Sequence, residues 1–503
     1  MSNHETAWQG AGNNRLMGQA WHIMPRDPND DVAMEAMPLA VRAWDLVRND
    51  PVMGALRNAK LVGTHGSRGL RLRSLYQADG SEAVSDEEIK VRQAIEAEIH
   101  DASCGAQLDA SGIYTRLEFE RALDELATVS GEAFAIRMFL PNRPGAATAT
   151  CWRIIRPERV SNPPGQVDGV KLFQGLELDD NGQIIAIHIG PPRRLRTASA
   201  LPAPSEWIRV PWYAPDGSRN VIHRIGTRLP GSYRAVSMFA QLIPMAKQVK
   251  GCIDAYVIAK RIQACHPIFI KCEDPNAAAK KDRNGAVWGP NTALEPGKTY
   301  YVGKDAEIVM PTFQFQGADL REFLDTLYRN EFASWGMPID VVLAQLGETN
   351  MAASRSAWSQ YYRQCDIWQD EHIEQVSRVL DESIIREAVA RKRLTFPKGM
   401  PWSKIMANRY IRPPRAMPDP KKEAEAVQLW ATLGRDLTGL WAESGVDYRE
   451  SIIQRADDNA FAAEHEVEVS PPEPAPFGAP AEGDPAAEPT APTEPEPKPE
   501  EKE

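Results

Sequence analysis

Three long amphipathic stretches after residue 230 constrain the fold most. In the first, apolar residues recur at helical spacing to about residue 264, which predicts one helix of roughly thirty residues and about 45 Å. Pro244 lies within this stretch and either kinks the helix or marks its start. The recurring apolar positions are Val236, Phe239, Ile243, Ala246, Val249, Ile253 and Tyr256.

The second and third stretches predict helices over residues 319–335 and 353–393. A Gly-, Pro- and Lys-rich insertion at 266–316, expected to contain β structure, separates the first two helices, and an irregular segment at 338–352 separates the last two. We interpret His372, on the apolar face of the third helix, as a hydrogen-bonded core histidine rather than a ligand. The apolar face of the second helix comprises Leu320, Phe323, Leu324 and Leu327. That of the third comprises Trp358, Tyr361, Cys365, Trp368, His372, Val376 and Val379.

The first half of the chain mixes both periodicities. Helices are predicted over 37–49, 86–100 and 117–128, whereas a strand is predicted over 60–75, where Leu70, Leu72 and Leu75 alternate with arginines. Short apolar runs between Pro-Pro, Asn-Gly and Asp-Gly turns predict β structure over 132–225. Residues 1–35 are expected to form an arm or a loosely packed extension, and two more helices are expected at 421–433 and 447–455. The pattern predicts an α+β fold.

Negative charge is concentrated at the C-terminus. Residues 462–503 contain 12 acidic and 2 basic residues, which account for −10 of the net charge of −11. This segment also holds 11 of the 40 prolines, so it is predicted to be a disordered acidic tail. The nearly neutral body argues against a tight, sequence-reading duplex binder, whose affinity depends on neutralising phosphates. The sequence shows neither a membrane-length apolar run nor a secretion signal.

Motifs for catalysis or cofactor binding are incomplete. Gly297-Lys298-Thr299 matches the end of a Walker A loop, but Thr292 occupies the place of its first glycine. A nucleophile elbow centred on Ser67 would need glycine in place of His65. The six cysteines form no CxxC pair, which predicts free thiols. Three candidate zinc ligands lack a fourth at a standard spacing: Cys265, His266 and Cys272. The sequence therefore predicts no catalytic residue, metal or cofactor.

Five short motifs lie at the joints between the predicted elements. They are 228–235 (RLPGSYRA), 294–297 (LEPG), 336–343 (GMPIDVVL), 350–355 (NMAASR) and 419–424 (DPKKEA). In this order and spacing they resemble motifs of the phage portal proteins of the lambda family, and the resemblance extends from about residue 40 to residue 458. The chain departs from the family pattern at Ala235, where glycine is usual, and at Ala352 and Ala353, where serines are usual.

The resemblance implies a portal fold with a wing, long stem helices, a small β-containing clip and a helical crown, followed by the disordered acidic tail. The expected boundaries are 1–39 for an N-terminal arm, 40–232 for the wing, 233–265 for a stem helix, 266–317 for the clip, 318–336 for a second stem helix, 337–352 for a tunnel loop, 353–414 for a long wing helix and its connection, 415–461 for the crown and 462–503 for the tail.

The resemblance also implies a function. Portal proteins form a ring, typically of about twelve subunits, at one capsid vertex, and terminase drives double-stranded DNA through it. The implied partners are further copies of the chain, double-stranded DNA, the terminase large subunit, the major capsid or scaffold protein, and head-completion or tail-connector proteins. The implied location is a virion assembled in the host cytoplasm, without a membrane.

Two groups of residues are expected to matter in such a ring. The polar tunnel loop around the DNA comprises Gln345, Leu346, Gly347, Glu348, Thr349, Asn350 and Met351. A basic cluster in the clip either contacts DNA or an acidic partner or forms a solvated turn, and it comprises Lys271, Lys280, Lys281 and Arg283.

Two other functional classes stay open at the level of the sequence. One is a nucleic-acid-processing enzyme with an unrecognised site, which would hydrolyse DNA in a metal-dependent reaction. The other is a capsid-associated scaffold or adaptor that binds partners without forming a pore. The mass of the purified assembly and an assay of DNA cleavage distinguish these classes from a portal.

Overall fold

The computed structural model describes residues 27–78, 85–192, 206–265, 268–282, 285–288, 298–305, 317–344, 351–415, 420–443, 446 and 448–464. The described chain mixes helices and sheets, in agreement with the predicted α+β class. The described residues as far as Val446 form one compact unit, and those from Tyr448 onward form a second.

Two helices that meet at a proline open the described chain. They are α1 (Pro28–Asn49) and α2 (Pro51–His65), and each has proline in its first turn. The side chains of Asp27 and Asp50 cap them by accepting hydrogen bonds from backbone N–H groups of that turn. The strand expected over 60–75 is wrong at 60–65, which belong to α2, and is confined to β1 (Arg71–Ser74). Residues 28–35, expected in an arm, are helical.

Helices α3 (Asp86–Ser103) and α4 (Arg116–Ser130) agree with two of the predicted helices. Each begins with a capping box, in which the N-cap side chain and a glutamate three residues later satisfy each other's backbone N–H groups. The pairs are Ser85 with Glu88 and Thr115 with Glu118. Two otherwise unpaired N–H groups are thus satisfied at each helix start.

Two antiparallel sheets follow, as the β-rich pattern predicts. The strands are β2 (Glu132–Phe139), β3 (Thr150–Ile155), β4 (Leu172–Phe173), β5 (Leu176–Leu178), β6 (Ile184–Ile189), β7 (Ile208–Pro211) and β8 (Val221–Ile225). One sheet has the order β3-β2-β8 and the other β4-β5-β6-β7. Their facing side chains share one apolar core, in which Phe134 and Val221 of the first sheet join Leu176 and Ile187 of the second.

The first long helix starts later than its apolar periodicity suggests. Helix α5 (Ile243–Cys265) begins at Ile243 and not at residue 233. Proline lacks the N–H that a helix interior requires but fits a first turn, so Pro244 marks the helix start. The insertion that follows contains β9 (Ile268–Cys272), α6 (Pro275–Lys281), β10 (Gly285–Val287) and β11 (Thr299–Gly303). Its three strands form a parallel sheet in the order β10-β11-β9, and α7 (Gly317–Ala333) comes next.

The remaining elements include the long third helix. The short α8 (Ile339–Val342) comes before it. The long helix itself is made of α9 (Met351–His372), a π-helical turn (Ile373–Ser377) and α10 (Arg378–Ala390). Tyr361 and Trp368 pack into a core with the ends of α1, α2 and α7, whereas Leu380 and Ile384 pack into a second core with α3, α4, β2 and β3. The helix thus connects two cores.

A strand near the end of the first unit pairs with the first strand of the chain. After α11 (Trp402–Ile405), strand β12 (Asn408–Ile411) pairs antiparallel with β1, with Arg71 opposite Ile411. Helices α12 (Pro420–Thr432) and α13 (Leu437–Glu443) follow in the first unit, and α14 (Tyr448–Glu464) belongs to the second. The predicted acidic tail lies outside the described residues from 465 onward.

Candidate functional site

The insertion between α5 and α7 has an aromatic core of its own. Tyr300 of β11 is fully buried. Its ring centroid lies 5.6 Å from that of Phe269 on β9 and 5.4 Å from that of Trp288, which follows β10. Because Thr299 begins a strand, Gly297-Lys298-Thr299 does not lead into the helix that a phosphate-binding loop requires.

The structure places three of the four predicted basic residues of the clip on neighbouring elements. Lys271 lies on β9, and Lys280 and Lys281 occupy the last turn of α6; all three are exposed. Helix α6 packs against β9, β10 and β11. Arg283 lies outside the described residues. Lysines in a last turn also complement the negative end of a helix, so this placement agrees with a structural role as well as with binding.

Helices α5 and α7 are packed at one end and exposed further along. At the packed end, the residues that flank the helices are in contact. Trp335, just after α7, lies edge-on against Phe239, just before α5, with ring centroids 4.8 Å apart, and its Nε1 donates a hydrogen bond to the carbonyl of Met238 at 3.2 Å. Along the helices, Ile258 is 55% exposed and Phe323 is 50% exposed. The predicted apolar face of the second helix is therefore not entirely core, because Phe323 lies at the surface.

The segment that joins α7 to α9 is packed into the core before the predicted tunnel loop. Gly336 has φ of +66°, a conformation that suits glycine where the chain turns out of α7. After it, Met337, Ile339 and Val342 are buried in the core that also receives Tyr361 of α9. Residues 345–350 lie outside the described residues, and Met351, whose side chain is also outside them, begins α9. The predicted loop therefore follows a segment that is anchored in the core and ends where α9 begins.

Near the end of α7, a carboxylate is buried without a hydrogen-bond partner among the described residues. Glu331 of α7 is 3% exposed, and neither of its carboxylate oxygens has a hydrogen-bond partner among the described residues. Burial, with the negative charge of Asp50 nearby, raises the pKa of Glu331 to about 7. The folded chain therefore keeps Glu331 protonated up to about pH 7, well above the pH at which an exposed glutamate ionises.

Replacing Glu331 with glutamine is expected to stabilise the chain at pH 8 and to have little effect at pH 4.5. The unfolded chain ionises this group near its ordinary pKa of 4.5, whereas the folded chain holds the proton to about pH 7. Native stability therefore falls as the pH rises between these values, by about 3 kcal/mol in full. Urea unfolding of E331Q at both pH values measures the difference, with Glu322→Gln, exposed on the same helix, as the control. An equal shift at the two pH values would contradict the interpretation.

A second group of charges is buried beneath the long helix and centres on Asp124 of α4. Lys60 Nζ of α2 lies 2.6 Å from its Oδ1, and Arg224 Nη2 of β8 lies 3.0 Å from the same oxygen. His65 Nε2 lies 3.2 Å from its Oδ2. Each of these side chains is at most 1% exposed. The group joins α2, α4 and β8 through one carboxylate.

Electrostatics within this group favour ionised Asp124. Burial alone would raise the pKa of Asp124, but the positive charges of Lys60 and Arg224 outweigh it and hold the pKa well below its ordinary value. Burial lowers the pKa of Lys60 to about 8 against the opposing effect of Asp124. The carboxylate is therefore the fixed charge around which its neighbours are arranged.

Sequence reasoning missed this group because its members are distant in the sequence. The sequence does contain one indication of the group, which is a charged residue within the apolar face of a helix. Lys60 follows Met53 and Leu56 at helical spacing, and Asp124 lies beside Leu123 and one turn before the buried Thr128. A charge at such a position indicates a buried partner.

None of the described helices combines the length and the apolar character that a membrane span needs. The predicted free thiols are observed at five positions: Cys104, Cys151, Cys252, Cys272 and Cys365. Cys265 and His266, the other candidate zinc ligands, have side chains outside the described residues.

Comparison with known proteins identifies the family. Residues 14–369 match the family described as phage portal protein, lambda family. No curated protein sequence matches the chain. A solved structure titled as the virion of a native gene transfer agent particle contains a similar chain, with a TM-score of 0.40 and 13% sequence identity over 82% of this chain and 95% of that one. The family match covers well over half of the chain, and this chain therefore belongs to the lambda family of phage portal proteins.

Proposed function

We propose that this portal protein assembles into a ring at one capsid vertex and that double-stranded DNA passes through the ring during packaging and ejection. The observation that carries the proposal is the family match over residues 14–369. Proteins of this family are structural components, so the ATP-driven motor belongs to a separate terminase. The nearly neutral body suits a conduit, because every phosphate that a channel neutralises adds affinity and slows passage.

Exposed apolar side chains on α5 and α7 support the ring. Ile258, Val257 and Phe323 are 55%, 40% and 50% exposed in the single chain. A head-to-tail contact that closes into a ring buries two different surfaces of each subunit. We assign these side chains of α5 and α7 to that contact.

Residues 345–351 form the proposed tunnel loop. Helix α8, whose Ile339 and Val342 are buried, precedes them, and the long α9 begins at their last residue. Their sequence is mostly polar and has Gly347 at its centre. In a closed ring, one such loop from every subunit would encircle the DNA. Weak, repeated contacts suit a collar through which the duplex slides.

Changing Glu348 to arginine is expected to lower the DNA packaged per virion at least about tenfold, because a ring of added cations binds the phosphates of the passing duplex. Quantitative PCR of nuclease-protected DNA measures the effect in virions that carry the variant. The isosteric Glu348→Gln removes the charge without adding a cation and is expected to package close to the wild-type amount. Normal packaging by E348R would show that residues 345–351 do not line the channel.

The insertion between α5 and α7 is the proposed clip, and Lys271, Lys280 and Lys281 are its proposed contacts with an acidic surface of terminase or of a head-completion protein. All three are exposed on neighbouring elements. Exposed basic side chains that lie on neighbouring elements give a docking surface whose affinity depends on salt.

Light scattering after gel filtration, with negative-stain images of the same peak, tests the ring directly. A mass near twelve times the 55.9 kDa of one chain, with a central hole in the particles, is expected. A monomer or dimer that hydrolyses DNA would favour the alternative of a nucleic-acid-processing enzyme. A chain that enters capsids but never forms a ring there would favour the scaffold or adaptor.

A further inference from the structure

Two histidines and a glutamate meet in the interior, next to the Asp124 group. His65 ends α2, Glu120 lies on α4 and His372 ends α9. One ligand atom from each lies within 4.8 Å of those of the other two, and all three residues are buried. They belong to three different helices, so tertiary packing alone brings them together.

His372 is buried without the hydrogen bonds expected of a core histidine. It is 0% exposed, and among the described residues neither of its ring nitrogens has a hydrogen-bond partner. Nε2 lies 3.7 Å from Glu120 Oε2, and Nδ1 lies 4.0 Å from Asp124 Oδ1. Both distances exceed hydrogen-bond length, and buried ring nitrogens without a hydrogen-bond partner cost free energy. The earlier interpretation of His372 as a hydrogen-bonded core residue is therefore wrong in its hydrogen bonding.

A carboxylate orients the imidazole of His65, as is usual for histidines that bind a metal. When its Nε2 donates to Asp124 Oδ2, at 3.2 Å, the opposite nitrogen carries the lone pair. That nitrogen, Nδ1, is buried and has no hydrogen-bond partner among the described residues. A carboxylate behind a histidine is the usual means by which proteins orient an imidazole toward a metal. Glu120 has similar support, because Arg116 Nε lies 3.0 Å from its Oε1.

We propose that His65, Glu120 and His372 bind a divalent metal ion of the zinc class, with water completing the coordination. Ligands at zinc bond lengths in tetrahedral geometry are about 3.4 Å apart, too far for a hydrogen bond and close to the 3.7 Å between His372 and Glu120. Two imidazoles and one carboxylate form a donor set that zinc prefers.

The surrounding charges are compatible with a cation. The nearby cations Lys60, Arg224 and Arg116 are each paired with a carboxylate: the first two with Asp124, and Arg116 with Asp381 and Glu120. Each of these three cations beside the site therefore has its charge balanced by a carboxylate.

Binding would fasten α2, α4 and the long helix α9 at one point. The backbone changes to a π-helical turn at Ile373, directly after His372. Such turns occur often at functional sites in helices. An ion held there would link the two cores that the long helix connects, and the chain would gain stability in proportion to the occupancy of the site.

Metal analysis of the full-length chain tests the site. The protein is treated with EDTA, returned to buffer with zinc chloride, separated from free metal by gel filtration and analysed by mass spectrometry for zinc. About one zinc ion per chain is expected, with a higher Tm than the EDTA-treated chain. His372→Gln is expected to lose the bound zinc and the zinc-dependent rise in Tm, whereas His100→Gln, exposed on α3, is expected to keep both.

Cobalt replacement in the wild-type chain makes the test independent of how well a variant folds. Tetrahedral Co²⁺ with nitrogen and oxygen ligands absorbs visible light more strongly than octahedral Co²⁺ in water. The proposal expects this absorption after cobalt chloride is added to the EDTA-treated wild-type chain, and its disappearance when zinc is added. A folded wild-type chain that retains no zinc and shows no such band, or equal retention of zinc by folded H372Q, would overturn it.

Discussion

Asp124→Asn is expected to destabilise the chain by about 3–5 kcal/mol, enough to unfold it or to abolish soluble expression. The neutral amide has nearly the same shape but leaves Lys60 buried without its ion-pair partner, and it leaves Arg224 with only the more distant Glu371, whose Oε2 lies 3.6 Å from Arg224 Nη1. Urea unfolding of the purified chain at pH 7 measures the loss where the variant is soluble. Because the pKa of Asp124 in the folded chain lies below its ordinary 3.8, this contribution is complete above that pH and disappears as the pH falls further.

A matched surface change separates this effect from a general sensitivity to lost carboxylates. Asp180 pairs with Lys171 at 2.9 Å, but the two side chains are 85% and 73% exposed. Asp180→Asn is therefore expected to cost less than about 1 kcal/mol. Similar unfolding midpoints for the two variants would show that Asp124 does not carry the stability assigned to it.

Ile258→Asp is expected to abolish ring assembly while leaving the single chain folded. The side chain is 55% exposed, so the change costs the monomer little. In the proposed contact between subunits the same carboxylate would be buried without a partner, and a closed ring repeats that cost in every subunit. Light scattering is expected to shift from the ring to the monomer, and circular dichroism is expected to retain the wild-type helical signal.

Ile258→Val is the matched control because it keeps an apolar side chain at the same place on α5. It is expected to assemble like the wild type. Rings formed normally by the aspartate variant would place Ile258 outside the contact between subunits and would move the proposed interface to another face.

Much of the architecture could be predicted because it depends on local signals. The capping boxes at Ser85 and Thr115 and the apolar stripe of α9 lie within short windows of sequence, and the structure has helices there. At prolines, the sequence pattern alone does not show whether a helix ends or begins. Pro51 and Pro244 each end one pattern and begin a helix, and only the structure shows that the helix begins there.

The buried charges could not be predicted because their partners are remote in the sequence. His65, Glu120 and His372 meet only after three helices have packed, and no spacing rule relates them. The structure also exposes Phe323, which periodicity alone assigns to a core face. A stripe on a helix shows which side chains are apolar but not whether they pack within the chain or against another subunit.

The self-contained insertion has a consequence for how proteins of this kind diversify. In the described chain, β9, β10 and β11 pair only with one another, and Tyr300 packs with Phe269 and Trp288 of the same module. Substitutions on its outer surface therefore leave the packing of the body unchanged. In evolution this module can therefore change or be exchanged as a unit, while the two cores that the long helix connects are conserved by their own packing.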